Sequence, residues 1–359
     1  MKKFAFFATL FFTAAFMLSA CNTETPTSKK VSIVATIYPQ YDWLRNILGE
    51  HTDAVDLKLL IKNGTDLHSY KPSAQDIASI ASADMVVFVG GESDEWIEKA
   101  LEATPKAGRV QMNLMKALGD RVKEEEVVEG MQADPSASSG TEEHHEHDKV
   151  TEPAEATSEH HHHEENVAEH HEHHHHSEEV ENDEHIWLSL KNAEILVQKL
   201  AESISTIDTA NAETYKANAT AYATKLRELD VDFAATTKDA AKKTILFGDR
   251  FPFRYLVDDY DIKYYAAFVG CSAESEASFE TITFLANKMD SLALPAIFTI
   301  DGSNGKIARA ILDASKKSKE AQVLTLNSMQ SVSDDQIKKG SDYVSFMKAN
   351  LEILKKALK

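Results

Sequence analysis

The reading of this chain turns on Asn182-Asp183-Glu184-His185-Ile186-Trp187-Leu188. Here an acidic, histidine-packed segment stops and a helical pattern starts. Leu190, Ala193, Ile195, Leu196, Leu200 and Ile204 recur at the spacing of one helix face. Far upstream, Gly64-Thr65-Asp66-Leu67-His68-Ser69-Tyr70-Lys71-Pro72-Ser73 also sets one histidine beside ordered chain. Outside the histidine run the sequence holds only His51, His68 and His185, and no histidine follows His185. His68 and His185 are therefore the first candidates to anchor a buried metal ion.

Working outward, apolar runs alternate with helix-spaced segments. Strands are expected at 30–38, 55–61, 85–89 and 109–114, with helices at 41–48, 74–81 and 94–101. Ser73 is placed to cap the second of these helices, and Asp76 sits in its first turn, where the helix dipole favours an acid. Beyond the helix that starts near Leu188, Asp208 is placed to cap a long helix from 209 to about 235, rich in alanine and other helix formers. The second half repeats the alternation. Strands are expected at 244–247, 263–269, 295–300 and 321–326, and helices at 254–260, 279–290, 306–314 and 343–358. Strand–helix alternation implies parallel βαβ units covered on both faces, with ligands bound beyond the carboxyl ends of the strands. The expected fold is α/β: two βα lobes, each with a mainly parallel sheet, joined by a long rigid helix. The first lobe is read as 31–205, the connecting helix as 206–238 and the second lobe as 239–359.

Residues 124–184 are a different material. They hold 13 of the 16 histidines, at 144, 145, 147, 160–163, 170, 171 and 173–176, among many acids and few large apolar residues. Such a segment cannot bury enough surface to fold alone, and it is expected to be a disordered loop inserted in the first lobe. Its composition suits auxiliary metal capture by His144, His145, His147, His160, His161, His162, His163, His170, His171, His173, His174, His175 and His176. His171-Glu172-His173-His174-His175 matches the H-E-x-x-H zinc protease pattern, but within a histidine repeat that match arises by chance.

At the front, Lys2 and Lys3 precede an apolar run from Phe4 to Met17, so 1–20 reads as a secretory signal peptide. Leu18-Ser19-Ala20-Cys21 resembles a bacterial lipobox, which implies lipidation of Cys21 and a polar tether over 21–30. Cys271 then has no partner for an intramolecular disulfide, since the chain has two cysteines. The net charge of −20 argues against nucleic acid and suits a metal cation.

These residues together resemble the zinc- and manganese-binding solute-binding lipoproteins of bacterial ABC importers, and the acidic histidine loop resembles the zinc branch. The resemblance runs along essentially the whole mature chain. It rests on the lipobox, the His68 stretch and His185-Ile-Trp-Leu. It also rests on Asp208-Thr-Ala-Asn-Ala-Glu-Thr-Tyr, Phe251-Pro-Phe-Arg-Tyr and Ala296-Ile-Phe-Thr. It implies a metal held between two lobes, with His68 and His185 from the first. The second lobe of the family adds a histidine or glutamate at a position that falls on Gly248 here, next to Asp249, and a carboxylate near Asp301 or Asn304. With no downstream histidine, the second lobe offers Asp301 and Asp249 first, then Glu274 and Cys271.

Two imidazoles with carboxylates suit Zn2+, with Mn2+ or Fe2+ as alternatives, and the histidine loop favours zinc. The resemblance implies a monomeric, lipid-anchored, extracytoplasmic protein that catalyses nothing and passes zinc to a permease and its ATPase. A surface metal buffer or adhesin on the same fold is one rival. A metal-dependent hydrolase is the other, but the sequence shows no second constellation shaped for a substrate.

Overall fold

The computed structural model describes residues 30–132, 181–272 and 276–359. The signal peptide, Cys21, the thirteen loop histidines and Glu274 lie outside the described residues. The first lobe is built from β1 (Val31–Ala35), α1 (Tyr38–Leu48), β2 (Val55–Leu59), α2 (Ala74–Ser82), β3 (Met85–Phe88), α3 (Glu95–Ala103), β4 (Val110–Asn113) and α4 (Leu114–Leu118). Two helices follow, α5 (Leu190–Ile207) and α6 (Ala212–Lys238). The second lobe contains β5 (Thr244–Phe251), α7 (Arg254–Asp259), β6 (Lys263–Val269), α8 (Phe279–Leu292), β7 (Ala296–Ile300), α9 (Lys306–Ala314) and β8 (Gln322–Leu326). It closes with α10 (Asp334–Lys338) and α11 (Tyr343–Ala357).

Each lobe holds a four-stranded, wholly parallel sheet. The orders are β2-β1-β3-β4 and β6-β5-β7-β8, the same topology twice. In both, the order reverses beside the first strand, the place where an open α/β sheet leaves a crevice at its strand ends. Strands β1, β3 and β7 are nearly all apolar because both faces are covered, with Ser32 and Thr299 the polar exceptions.

One apolar core runs from the first sheet through α1, α5, α6 and α11 to one face of the second sheet, and a smaller one lies under α8 and α9. Helix α6 buries Tyr215, Ala219, Tyr222, Ala223, Leu226, Leu229 and Phe233, a stripe that meets α5 along its length. The C-terminal helix returns to the first lobe. The rings of Tyr343 and Trp43 pack edge to face at 5.3 Å, and the Tyr343 hydroxyl donates to the Trp187 carbonyl at 2.6 Å.

Two local expectations can be compared in detail. Ser73 caps α2 as expected, and Asp76 does more than sit in its first turn: the two form a reciprocal capping box. Asp208 acts differently: its carboxylate takes the Tyr215 hydroxyl at 2.6 Å and the Asn211 amide at 2.9 Å, and α6 begins only at Ala212 after a 3-10 turn.

The base of the histidine-rich insertion is ordered on both sides. Glu124 and Asn182 form an antiparallel bridge, and Gln132 bridges Phe268 at the edge of the second sheet. Residues 123–132 thus cross between lobes as a strap. The Lys123 N–H donates to the Tyr255 hydroxyl at 2.9 Å, and that hydroxyl donates to the Asp183 carbonyl at 2.8 Å. Glu126 pairs with Arg254, and Glu129 pairs with Lys288.

Candidate metal centre

The crevice between the lobes gathers loops from the carboxyl ends of strands in both sheets. His68 lies in the one-turn 3-10 helix Leu67–Ser69 beyond β2, where Asp66 Oδ1 accepts its backbone N–H at 3.0 Å. His185 is fully buried at the point where the chain re-enters the fold. Asp183 Oδ1 holds it from two sides, accepting the backbone N–H at 2.8 Å and lying 2.9 Å from Nδ1. The two rings face each other with centroids 5.2 Å apart and Nε2 atoms 3.2 Å apart. The His185 ring also lies 5.3 Å from that of Trp187.

The hydrogen bonds decide the tautomers. A carboxylate only accepts, so His185 carries its proton on Nδ1, toward Asp183. The Gln330 side-chain nitrogen lies 2.7 Å from His68 Nε2 and 2.8 Å from His185 Nε2. An amide nitrogen only donates, so both Nε2 atoms present lone pairs to it. The proton of His68 therefore sits on Nδ1, which donates to Ser93 Oγ at 2.7 Å. The Ser93 backbone N–H is in turn held by Glu184 Oε1 at 2.7 Å. Burial, the neighbouring His185 and the Arg250 guanidinium pull the His68 pKa down to about 3, against the pull of Asp66 the other way. Two neutral imidazoles thus aim lone pairs at one point, which is the form in which histidine binds metal.

Cys271 completes the cluster. Among the described residues, His68, His185 and Cys271 bring one ligand atom each within 4.8 Å of one another. The thiol follows β6, and its backbone N–H reaches Glu125 Oε1 of the strap at 3.3 Å. Burial pushes the thiol pKa well up, and Glu184, Asp183 and Glu125 push it further. A cation reverses that balance, because a coordinating thiol is deprotonated outright. The backbone approaches closely here: a Cβ on Gly270 would stand 2.8 Å from His185 Cε1, so only glycine lets the second lobe lie against that ring.

The two aspartates read from the sequence do not join that three-atom cluster among the described residues. Asp301 Oδ1 accepts from the Ser328 N–H at 2.5 Å and its hydroxyl at 2.8 Å, while Oδ2 takes Ser331 Oγ at 3.2 Å. It braces the turn that carries Gln330. Asp249 Oδ1 accepts the Arg250 N–H at 2.9 Å. Asp249 lines a cleft of ≈ 370 Å³ with His68, Arg250 and Asn304. Gly248 is bare for a steric reason, since a Cβ there would meet Ala308 Cα at 2.5 Å. Gln330 escapes a sequence reading, because an amide in Ser-Met-Gln-Ser carries no ligand signature. The available signal was its place just past β8, at a strand's carboxyl end.

With this geometry in hand, comparison with known proteins is direct. A family model described as "ZnuA: Zinc-uptake complex component A periplasmic" matches residues 33–357. The zinc-binding lipoprotein AdcA of Streptococcus pneumoniae (strain ATCC BAA-255 / R6) is 30% identical over 343 residues, which are 95% of this chain and 58% of that protein. The chain therefore spans little more than half the length of that relative. The high-affinity zinc uptake system protein ZnuA of Bacillus subtilis (strain 168) is 28% identical over 352 residues, covering 96% of this chain and 95% of that one. The crystal structure of the Zn(II)-bound ZnuA-like domain of Streptococcus pneumoniae AdcA superposes with a TM-score of 0.63 at 26% identity, over 92% of this chain and 99% of that one. Two parallel lobes of repeated topology, a crevice lined by histidines and a family match along nearly the whole fold agree: the chain belongs to the ZnuA family of zinc-uptake complex components.

Proposed function

We propose that this chain captures zinc outside the cytoplasm and delivers it to an ABC permease driven by an ATPase. In this reading His68 Nε2, His185 Nε2 and Cys271 Sγ hold the ion. One observation carries it: two imidazoles whose tautomers are fixed by Ser93 and Asp183 converge with a thiol on one point. Tetrahedral zinc with bonds of ~2.0–2.3 Å sets its donors roughly 3.3–3.7 Å apart. The imidazole nitrogens stand 3.2 Å apart, close to that spacing. A sulfur donor beside two imidazoles favours zinc over manganese, which prefers carboxylates and carbonyls. The role is carriage, not catalysis.

The names of the relatives support the rest of the reading. AdcA is called a lipoprotein, in keeping with anchoring through Cys21, and the Bacillus subtilis relative is called an uptake system protein. The histidine run is read as an auxiliary capture segment feeding the folded site.

The test is zinc binding by competition with a chromophoric chelator, on the full mature chain and on one lacking residues 133–180. One tight zinc that survives the deletion and disappears in His68→Ala, His185→Ala and Cys271→Ser supports the assignment. Tight binding that leaves with the deleted segment overturns it and makes the protein a histidine-loop buffer.

A further inference from the structure

We propose that Gln330 is the fourth donor of the zinc site, and that its amide has two uses there: its NH2 group spans the imidazole lone pairs, and its carbonyl oxygen, turned to the same point, ligates the ion. The proposal rests on the zinc-binding reading above.

Gln330 Nε2 sits 2.7 and 2.8 Å from two acceptor nitrogens that are themselves 3.2 Å apart. Two lone pairs that close repel each other unless something positive lies between them. An NH2 group carries two polar hydrogens in one plane, one for each acceptor, and so fills in part the role of a cation.

The other end of the amide points the same way. Gln330 is only 3% exposed, and its Oε1 is buried with no hydrogen-bond partner among the described residues. Buried amide oxygens are rarely left so, and such a group calls for an explanation. A half-turn about the last side-chain bond exchanges Oε1 and Nε2 without moving the backbone, and that torsion is broad and roughly two-fold. The turn brings an oxygen lone pair to the point where both imidazoles aim.

The loop is built to hold this side chain in place. Met329, fully buried, adopts a left-handed backbone with φ 58°, a conformation that a non-glycine residue takes only when its surroundings impose it. The surroundings do so on every side. Asn350 exchanges two hydrogen bonds with the backbone of Asn327, each 2.8 Å. Asp301 holds Ser328 and Ser331, and the Trp187 indole donates to the Ser328 carbonyl at 2.8 Å. Trp187 follows His185 by two residues, so the element that positions one ligand also braces the loop that aims Gln330.

A neutral oxygen beside one thiolate and two imidazoles makes a softer, less anionic site than a carboxylate would. Gln330 is therefore also a specificity residue, set against manganese.

The experiment uses the full mature chain with side-chain 15N-labelled glutamine, compared with Gln330→Leu, Gln330→Glu and His68→Ala. In the wild type, one equivalent of zinc shifts a side-chain amide pair that is missing from the Gln330→Leu spectrum. Gln330→Leu, which removes both polar ends of the amide, binds zinc at least about 10–100-fold more weakly, the loss that even an outer-shell partner brings at a metal site. Gln330→Glu keeps zinc and raises manganese affinity relative to zinc. If Gln330→Leu binds zinc as the wild type does while His68→Ala loses it, Gln330 is not a donor and the site reading survives. If His68→Ala also binds unchanged, the site reading itself falls, and this proposal with it. Gln330→Glu refolds the test should the leucine variant fail to fold: an unchanged zinc-to-manganese ratio there overturns the specificity role.

Discussion

Arg250 and Asp66 meet across the cleft with Nη2 2.7 Å from Oδ2, and the other end of each side chain holds a segment that carries a candidate donor. Asp66 Oδ1 accepts the His68 N–H, and Arg250 Nη1 donates to the Ser272 carbonyl, one residue after Cys271, at 3.4 Å. Burial works against the Asp66 carboxylate, but the guanidinium outweighs it and holds the pKa below the ordinary value. The pair thus ties the segment of one candidate donor, His68, to the segment of another, Cys271.

Removing that tie should loosen the site without deleting a ligand. Arg250→Ala leaves Asp66 partly buried and unpaired, at a cost of about 1–3 kcal/mol in stability. Zinc should leave several-fold faster, as read by stopped-flow transfer to a chelator. Arg250→Lys should fall between, because a lysine cannot serve both acceptors with one rigid fork. A release rate equal to the wild type in Arg250→Ala would show that the pair does not govern exchange.

Acid should release zinc in two stages. A lowered ligand pKa means that protons compete only at lower pH, and His68 is held down to about 3. Free imidazole has a reference pKa of about 6.5, so zinc held by the histidine run should leave as pH falls from about 7 to 5. Cleft zinc should outlast it. The Cys271 thiol works in the opposite sense: its raised pKa keeps it protonated at neutral pH, so zinc binding expels a proton and cleft affinity climbs with pH. Zinc stoichiometry across this range, with and without residues 133–180, checks both signs. A single release step shared by both forms would contradict them.

A ligand cannot be restored at Gly248 by one substitution. A Cβ there stands 2.5 Å from Ala308 Cα and 2.8 Å from its Cβ, across the β5–α9 contact. Gly248→His should destabilise the fold by about 1–3 kcal/mol through overpacking and should bind zinc no better. Ala308→Gly cannot relieve the approach to backbone, so the double variant should recover little. Thermal melts of the three variants decide it.

Asp301 offers a clean contrast between ligand and brace. Asp301→Asn keeps an oxygen for the Ser328 N–H and hydroxyl, so a bracing role predicts zinc affinity within a few-fold of wild type. Asp301→Ala should loosen the Ser328–Ser331 turn and weaken binding by about tenfold, the scale of an outer-shell loss at a metal site. A ligand role predicts that both variants fail alike. Chelator competition on the pair separates the two.

The legible part of this molecule is the part governed by local pattern. Val31–Ala35 and Met85–Phe88 announce themselves because buried parallel strands are apolar almost throughout, and Ser73 announces α2 because a cap acts through its near neighbours. His68 and His185 were visible as the two histidines beside ordered elements. What stayed hidden depends on long-range contact. Asp301 has the look of a metal carboxylate, yet its oxygens are occupied by serines 27 and 30 residues away. Gln330 reaches His68 across 262 residues of chain and His185 across 145. Short elements such as Leu114–Leu118 and Asp334–Lys338 also passed unseen, since one turn of helix shows no period.

The strap over residues 123–132 changes what the two lobes can do as mechanical parts. A door swings because it is hung along a single edge. Here the chain is stitched across the seam by the strap, by α6 and again by the returning α11, with the Tyr255 hydroxyl knotting Lys123 of the strap to Asp183. Such stitching leaves room for side chains to turn and strand-end loops to settle, but little for the sheets to swing apart. Anything that tells a metal-filled crevice from an empty one would then have to feel its rim, as a fingertip reads relief, and not the angle of its jaws.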